Sequence, residues 1–387
     1  MKAIINTNVV LEKGIIFDGV VLLDGNRIVN VGKKQDVEVP ANAEIVDGQG
    51  LFTCPGLIDI HNHGSVKNFF LDDPEECCSH FLAHGETTVL PTFYQTYSAE
   101  EMIEGTKKLK EFSKTGKGRI IKGLYMEGPY MRASGSNSQL FKWSDGIELS
   151  KYKQLVDEIA SYVKVWAIDP AREGILDFVK YVKSVDENAI FAFGHSCATA
   201  DQCENIVDYG VKVQTHWGDS GKAPKINQAR NGAGCDDYTL SNPDIYAELI
   251  CDQTGIHLAP YTIRSVIRAK GYEKCILITD SYPSTGDYKN DEANGIMWGP
   301  DLNYDPRGKL AGSHLTLDGA CRNVMSYTPY GMCQVVRMAS LNPAKLIGID
   351  KDYGSIEVGK VADLILVDNA FNVKKVFLQG DLAVVNE

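Results

Sequence analysis

Residues 51–65 read LFTCPGLIDIHNHGS. A mostly apolar run, Leu57-Ile58-Asp59-Ile60, ends in His61-Asn62-His63-Gly64, so two of the chain's eight histidines stand at i and i+2 where a buried strand stops. Alternate side chains on a strand point the same way, so His61 and His63 can grip one ion together. The position excludes a rival fold. A doubly wound open sheet that binds a dinucleotide carries a glycine-rich phosphate loop after its first strand, and here that place holds His-Asn-His-Gly.

Outward from this stretch the middle of the chain alternates. Strands are expected at 57–60, 88–90, 120–126, 163–168, 189–193, 212–215, 246–250 and 275–279. Segments of helical period separate them at 74–84, 99–113, 149–160, 174–185, 199–209 and 261–270, and 318–327 continues the pattern. Repeated strand–helix units imply a parallel sheet, and about eight of them imply a closed (β/α)₈ barrel. The two ends read differently. Short strands are expected at 3–9, 14–23, 27–31 and 43–48, with Asp24-Gly25-Asn26 as a hairpin turn, and again at 361–367, 373–378 and 383–385. The expected architecture is therefore α/β: a (β/α)₈ barrel over residues 54–354, and a small β-sandwich made by both termini, 1–53 plus 355–387.

Composition restricts the function classes. Hydrophobic content of 44% and charged content of 23% are ordinary for a soluble globular protein. The net charge of −12 and the lack of a long basic run argue against a nucleic-acid surface or a polybasic membrane patch. No apolar run approaches the roughly 18 residues of a membrane span, and MKAIINTNVV lacks the regions of a signal peptide. Ten cysteines, scattered from Cys54 to Cys333 without a CxxC pair, read as reduced thiols of a cytoplasmic protein.

In such barrels the active site lies at the C-terminal ends of the strands. Those ends carry His61 and His63 on the first, Glu127 (YMEGPY) on the third, His195 (FAFGHS) on the fifth, His216 (VQTHWG) on the sixth and Asp280 (ILITDS) on the eighth; His257 follows the seventh in QTGIH. Imidazoles and carboxylates converging on one rim form a divalent-metal site, suited to Zn²⁺, Fe²⁺ or Mn²⁺. Taken singly, each has a plainer reading: His195 or His216 as a hydrogen-bonded structural histidine, Glu127 as a cap or ion-pair partner, Asp280 as a helix cap. Taken together, those readings require several nearly buried polar groups to find separate partners at the same rim, which is costly. A metal lowers the pKa of its bound water and polarises a carbonyl, and a neighbouring carboxylate, for which Asp280 is the candidate, can carry the proton to a leaving nitrogen. Hydrolysis of an amide or related bond is the expected reaction.

At these residues the chain resembles the amidohydrolase superfamily, and within it the N-acetylglucosamine-6-phosphate deacetylases. CPGLIDIHNHG, YMEGPY, FGHS, THW, ITDS, LAGSHLTLDGACRN and ASLNPAKLIGID…GSIEVGKVADLILVD occur in one order over nearly the whole chain. The last segment resembles the superfamily at large, whereas MEGP and GSHLTLDGACRN resemble the deacetylase branch. The resemblance implies a barrel with a terminal β-sandwich, one or two divalent ions (zinc or ferrous iron), and a homodimer. It implies that Glu127, His195 and His216 bind the principal metal, that His61 and His63 hold a second ion with Glu127 bridging, that Asp280 is general base and acid, and that His257 contacts the sugar. Where the family has Lys-Gly-x-His the chain reads YMRASGSNSQ, with Asn137 near that place; where it has Asn-Ala-Met the chain reads THWGDSGKAP. Further on, NQARNGAGCDDYTLSNP replaces a glycine-rich stretch. Arg230 stands where a phosphate arginine is expected, and reads equally well as a solvated surface arginine. Lys222 and Lys225 have the same two readings, loop charge or anion ligand.

The implied reaction is hydrolysis of the N-acetyl amide of an amino sugar, phosphorylated as in N-acetylglucosamine 6-phosphate. Two alternatives stand beside it: an amidohydrolase acting on another N-acyl or cyclic amide, and a metal-loaded barrel that binds a ligand without turnover.

Overall fold

The computed structural model describes residues 1–132, 142–143, 146–219, 221, 232–284, 299–305 and 307–386. The N-terminal segment contributes β1 (Lys2–Leu11), β2 (Gly14–Asp24), β3 (Arg27–Lys33), β4 (Glu44–Asp47) and β5 (Phe52–Pro55). Then strands and helices alternate: β6 (Leu57–Asn62), α1 (Pro74–Ala83), β7 (Glu86–Tyr94), α2 (Ala99–Phe112), β8 (Leu124–Glu127), α3 (Leu149–Ile159), β9 (Val163–Ile168) and α4 (Ile175–Val185). The alternation continues with β10 (Ile190–Phe193), α5 (Ala200–Val207), β11 (Val211–Gln214), α6 (Cys235–Ser241), β12 (Tyr246–Ile250), α7 (Pro260–Lys270) and β13 (Cys275–Ile278). A hairpin, β14 (Leu302–Tyr304) and β15 (Leu310–Ser313), precedes α8 (Leu317–Tyr327), and β16 (Leu364–Val367), β17 (Val373–Leu378) and β18 (Asp381–Val385) end the chain.

Strands β6 to β13 lie side by side in sequence order, parallel throughout. The cylinder closes between its first and last strands. The Asp280 N–H donates to the His61 carbonyl at 2.9 Å and the His63 N–H to the Ser281 carbonyl at 2.8 Å. Below them the buried Asp59 carboxylate accepts the Thr279 hydroxyl at 2.5 Å and the His61 N–H at 3.1 Å. The seam that closes the barrel is thus the same segment that carries His61, His63 and Asp280. Helices cover the outside with apolar stripes; α4 buries Ile175, Phe178, Val179 and Val182, spaced as one helical face.

The opposite mouth is floored by a helical stretch through 332–346 that the sequence pattern does not suggest. Its buried Ser340 hydroxyl donates to the Gly56 carbonyl at 3.0 Å, and the Asn342 amide donates to the carbonyls of Tyr272 and Cys275 at 2.7 and 2.8 Å. Those carbonyls lie at the starts of β6 and β13, so the SLN of ASLNPAKL ties off strand beginnings and has no part in the rim. Gly56 must be glycine because a Cβ there would lie 2.0 Å from the Thr87 hydroxyl oxygen.

The terminal strands form a second sheet, ordered β18-β17-β16-β5-β1-β2-β3, with β4 also on β1. It forks at β1, whose one edge pairs with β2 while the other is shared by β4 and β5. Ile4, Val9, Val21, Leu23 and Ile28 from the N-terminus pack with Leu364, Leu366 and Phe377 from the C-terminus, so both ends of the chain share one apolar core. Among the described residues no helix is long and apolar enough to cross a membrane.

Several expected boundaries shift; the second barrel strand, expected at 88–90, runs over Glu86–Tyr94, and the terminal strand expected from 361 starts at Leu364. The third barrel strand, expected from residue 120, starts at Leu124, because Gly116–Ile120 form a short 3-10 helix and Gly123 takes φ +145°. Residues 52–55, whose last two are expected to open the barrel, are β5 of the terminal sheet.

Candidate metal and hydrolytic centre

The rim is built from backbone upward. His61 lies in β6 and His63 just beyond it; Glu127 is the last residue of β8; His195, His216 and Asp280 each stand two residues past β10, β11 and β13. Those last three share an unusual backbone: φ is +43°, +25° and +48°, in the left-handed region. A non-glycine residue held there costs of the order of 1–3 kcal/mol. Hydrogen bonds clamp each one. The His195 carbonyl accepts from Arg132 N–H, the His216 N–H donates to the Glu248 carboxylate, and Asp280 is bonded on both sides, to His61 and to Ser313. The Ser313 contact accounts for the Gly312-Ser313 step of LAGSHLTLDG. Strand β15 lies against the end of β13, and a Cβ at Gly312 would sit 2.5 Å from the Asp280 carbonyl oxygen.

Side chains from these segments meet at Glu127. Its Oε1 lies 2.8 Å from His195 Nε2 and 3.1 Å from His216 Nε2, and its Oε2 lies 3.4 Å from His63 Nε2. His63 Nε2 is also 3.1 Å from Asp280 Oδ1. His61 Nε2 stands 3.6 Å from Asp280 Oδ1 and 4.0 Å from Glu127 Oε1. All except the partly open His195 are buried. Two three-residue groups result, His61 with His63 and Glu127, and Glu127 with His195 and His216, and within each the donor atoms lie within 4.8 Å of one another.

The residues fit a divalent cation on two observations. Donors about 2.1 Å from a tetrahedral ion stand about 3.4 Å apart, close to the spacing around Glu127. In addition, His61 Nε2 is buried at the centre without a hydrogen-bond partner among the described residues, an arrangement that is costly unless something else engages it. The electrostatics agree. Burial opposes charging His63, but hydrogen bonds to Asp280 and Glu127 raise its pKa to about 10. Burial likewise opposes charging His216, which Glu127 and the Asp280 charge raise to about 9. Burial would raise Glu127, but hydrogen bonds from His195, His216 and His63 hold it well below the carboxylate range. The cluster's carboxylates call for positive charge between them, and a cation supplies what protons otherwise would.

His257 sits beyond β12 with its Nδ1 3.1 Å from Asp252 Oδ2, which also accepts its backbone N–H. Its pKa is raised against the opposing effect of burial, by Asp252 and by the charges of Asp219 and Asp280, so it stands within electrostatic reach of the rim. Asn137 and Arg230, with Lys222 and Lys225, lie outside the described residues. Sequence reasoning misses the layer behind the rim: Asp59, Asp252 and Glu248. Its only signal is a lone acidic residue inside or beside an apolar strand, as in LIDIH, LICDQ and YAELI.

The chain is similar to known proteins in sequence and in fold. The chain is 27% identical over 357 residues to N-acetylgalactosamine-6-phosphate deacetylase of Escherichia coli O157:H7, covering 89% of this chain and 91% of that one. It is 26% identical to N-acetylglucosamine-6-phosphate deacetylase of Bacillus subtilis (strain 168), over 98% and 96% of the two chains. The crystal structure of N-acetylglucosamine-6-phosphate deacetylase from Pasteurella multocida superposes with a TM-score of 0.84 at 25% identity, covering 100% of both chains. Residues 52–383 match the Amidohydrolase family along barrel and C-terminal strands alike, and the chain belongs to that family.

Proposed function

We propose that the protein hydrolyses the N-acetyl amide of an N-acetylhexosamine phosphate, with N-acetylglucosamine 6-phosphate as the leading substrate, giving acetate and the free amino sugar phosphate. The observation that carries this reading is the convergence of four histidines on Glu127 with Asp280 beside them. His61, His63, Glu127, His195 and His216 are the ligands for one or two divalent ions, zinc or ferrous iron. A bound cation supplies the charge that polarises the amide carbonyl and makes water nucleophilic at neutral pH.

The chain's own residues do the rest. The Asp280 carboxylate takes the proton of the attacking water and returns it to the nitrogen as the C–N bond breaks. Its clamped backbone fixes where that proton is picked up and delivered. His257, held by Asp252, contacts the sugar. The names of the relatives, one a galactosamine and one a glucosamine derivative, support a 6-phosphorylated N-acetylhexosamine and leave both epimers to be tested.

A second reading, hydrolysis of another N-acyl or cyclic amide, is favoured by Asp219. This carboxylate follows His216 closely, and its charge is felt by both His216 and His257; an acid there disfavours an anionic substrate group nearby. The deciding experiment is acetate release from the two epimeric N-acetylhexosamine 6-phosphates. Release that stops on chelation and returns with zinc or iron is expected. No release from either, with turnover of other N-acyl compounds by the metal-loaded protein, selects the second reading; no turnover of any selects a binding barrel.

A further inference from the structure

Glu248 lies in the middle of β12 within the apolar run Tyr246-Ala247-Glu248-Leu249-Ile250, and it is fully buried. A carboxylate in such a place is strongly unfavourable unless it is paired or hydrogen-bonded. Its Oε2 stands 3.2 Å from His61 Nδ1 and accepts the backbone N–H of His216 at 3.3 Å. It therefore touches one histidine from each of the two groups that share Glu127.

The two nitrogens of His61 have different surroundings. Nδ1 faces Glu248, while Nε2 points at the rim carboxylates without a hydrogen-bond partner among the described residues. A proton held on Nδ1 by the carboxylate leaves the lone pair on Nε2, and the same contact fixes the rotation of the ring. The Tyr125 ring, its centroid 4.5 Å from that of His61 and tilted by 30°, further limits the imidazole. At His216 the contact acts on the backbone. That residue has a positive φ, and Glu248 receives the N–H of this strained peptide.

We infer that Glu248 is a positioning residue: it sets the tautomer and aim of His61 and holds the backbone of His216, so that both groups converge on Glu127. This rests on the metal reading given above. Its effect falls first on the His61–His63–Glu127 group. At His216 a second tether, from the Trp217 N–H to the Glu248 carbonyl at 2.8 Å, survives any side-chain substitution.

The test is zinc stoichiometry and affinity, by chelator competition, of the full chain and of Glu248→Gln and Glu248→Leu, with the melting temperature of each metal-free protein in parallel. Gln keeps an acceptor oxygen and loses the charge; Leu removes the acceptor. The wild type is expected to take up two ions. The second should bind about 10-fold more weakly in the Gln variant and about 100-fold more weakly in the Leu variant, with the first ion retained. If the Leu variant does not fold, the Gln variant alone decides. Two ions bound with unchanged affinity in the variants, whatever their melting temperatures, overturn the inference. A single ion in the wild type, indifferent to Glu248, overturns it while leaving the metal reading intact, and no ion at all overturns both.

Discussion

Replacing Asp280 by asparagine is expected to lower turnover by about three orders of magnitude, within the range that a positioned proton carrier contributes, while leaving metal content unchanged. Asparagine keeps the size of the side chain and one oxygen but cannot accept and pass on a proton. The backbone bonds that fix residue 280, to His61 and Ser313, do not involve its side chain. Both three-residue groups around Glu127 are complete without Asp280, so the ions should stay. Turnover on an N-acyl substrate and metal analysis of the same preparation check this. A variant that stays active refutes Asp280 as the proton carrier; one that is inactive and has lost an ion makes it a ligand instead.

Glu127→Ala is expected to do more damage through a different route. Glu127 is the residue common to both groups, facing His195 and His216 with one oxygen and His63 with the other. Its loss should weaken both ions by more than the roughly 100-fold that an outer partner of a ligand costs, and turnover should fall to background. The contrast is His61→Ala with His63→Ala, which removes donors from one group only and should cost one ion of two. If Glu127→Ala and the double histidine variant lose the same single ion, Glu127 is not shared.

The barrel and its rim are largely legible in the amino-acid sequence. The apolar runs before His61, Glu127, His195 and Asp280 are buried barrel strands, and a parallel barrel strand buried on both faces leaves such a run; before His216 the strand reads VKVQ, with Lys212 exposed. The end of each run marks the rim. Less legible is anything needing two distant segments at once. Glu248 reads as an odd acid in YAELI until β12 lies beside β11 and across from His61. Ser340 and Asn342, in a stretch with no expected element, show no role until their partners at Gly56 and Cys275 are known. The hairpin of β14 and β15 is hidden because its role is to clamp the backbone of Asp280, a contact that no periodicity announces. Strand β5 escapes recognition because nothing in LFTCPGLI shows that the chain changes sheets at Gly56, where Thr87 leaves no room for a side chain.

The proposed hydrolysis requires a metal at Glu127. The most direct measurement is anomalous X-ray scattering from crystals of the zinc-loaded protein. One peak is predicted among Glu127, His195 and His216, a second among His61, His63 and Glu127, and neither in Glu127→Ala. Zinc-loaded, catalytically active crystals with no peak within ligand distance of Glu127 would contradict it.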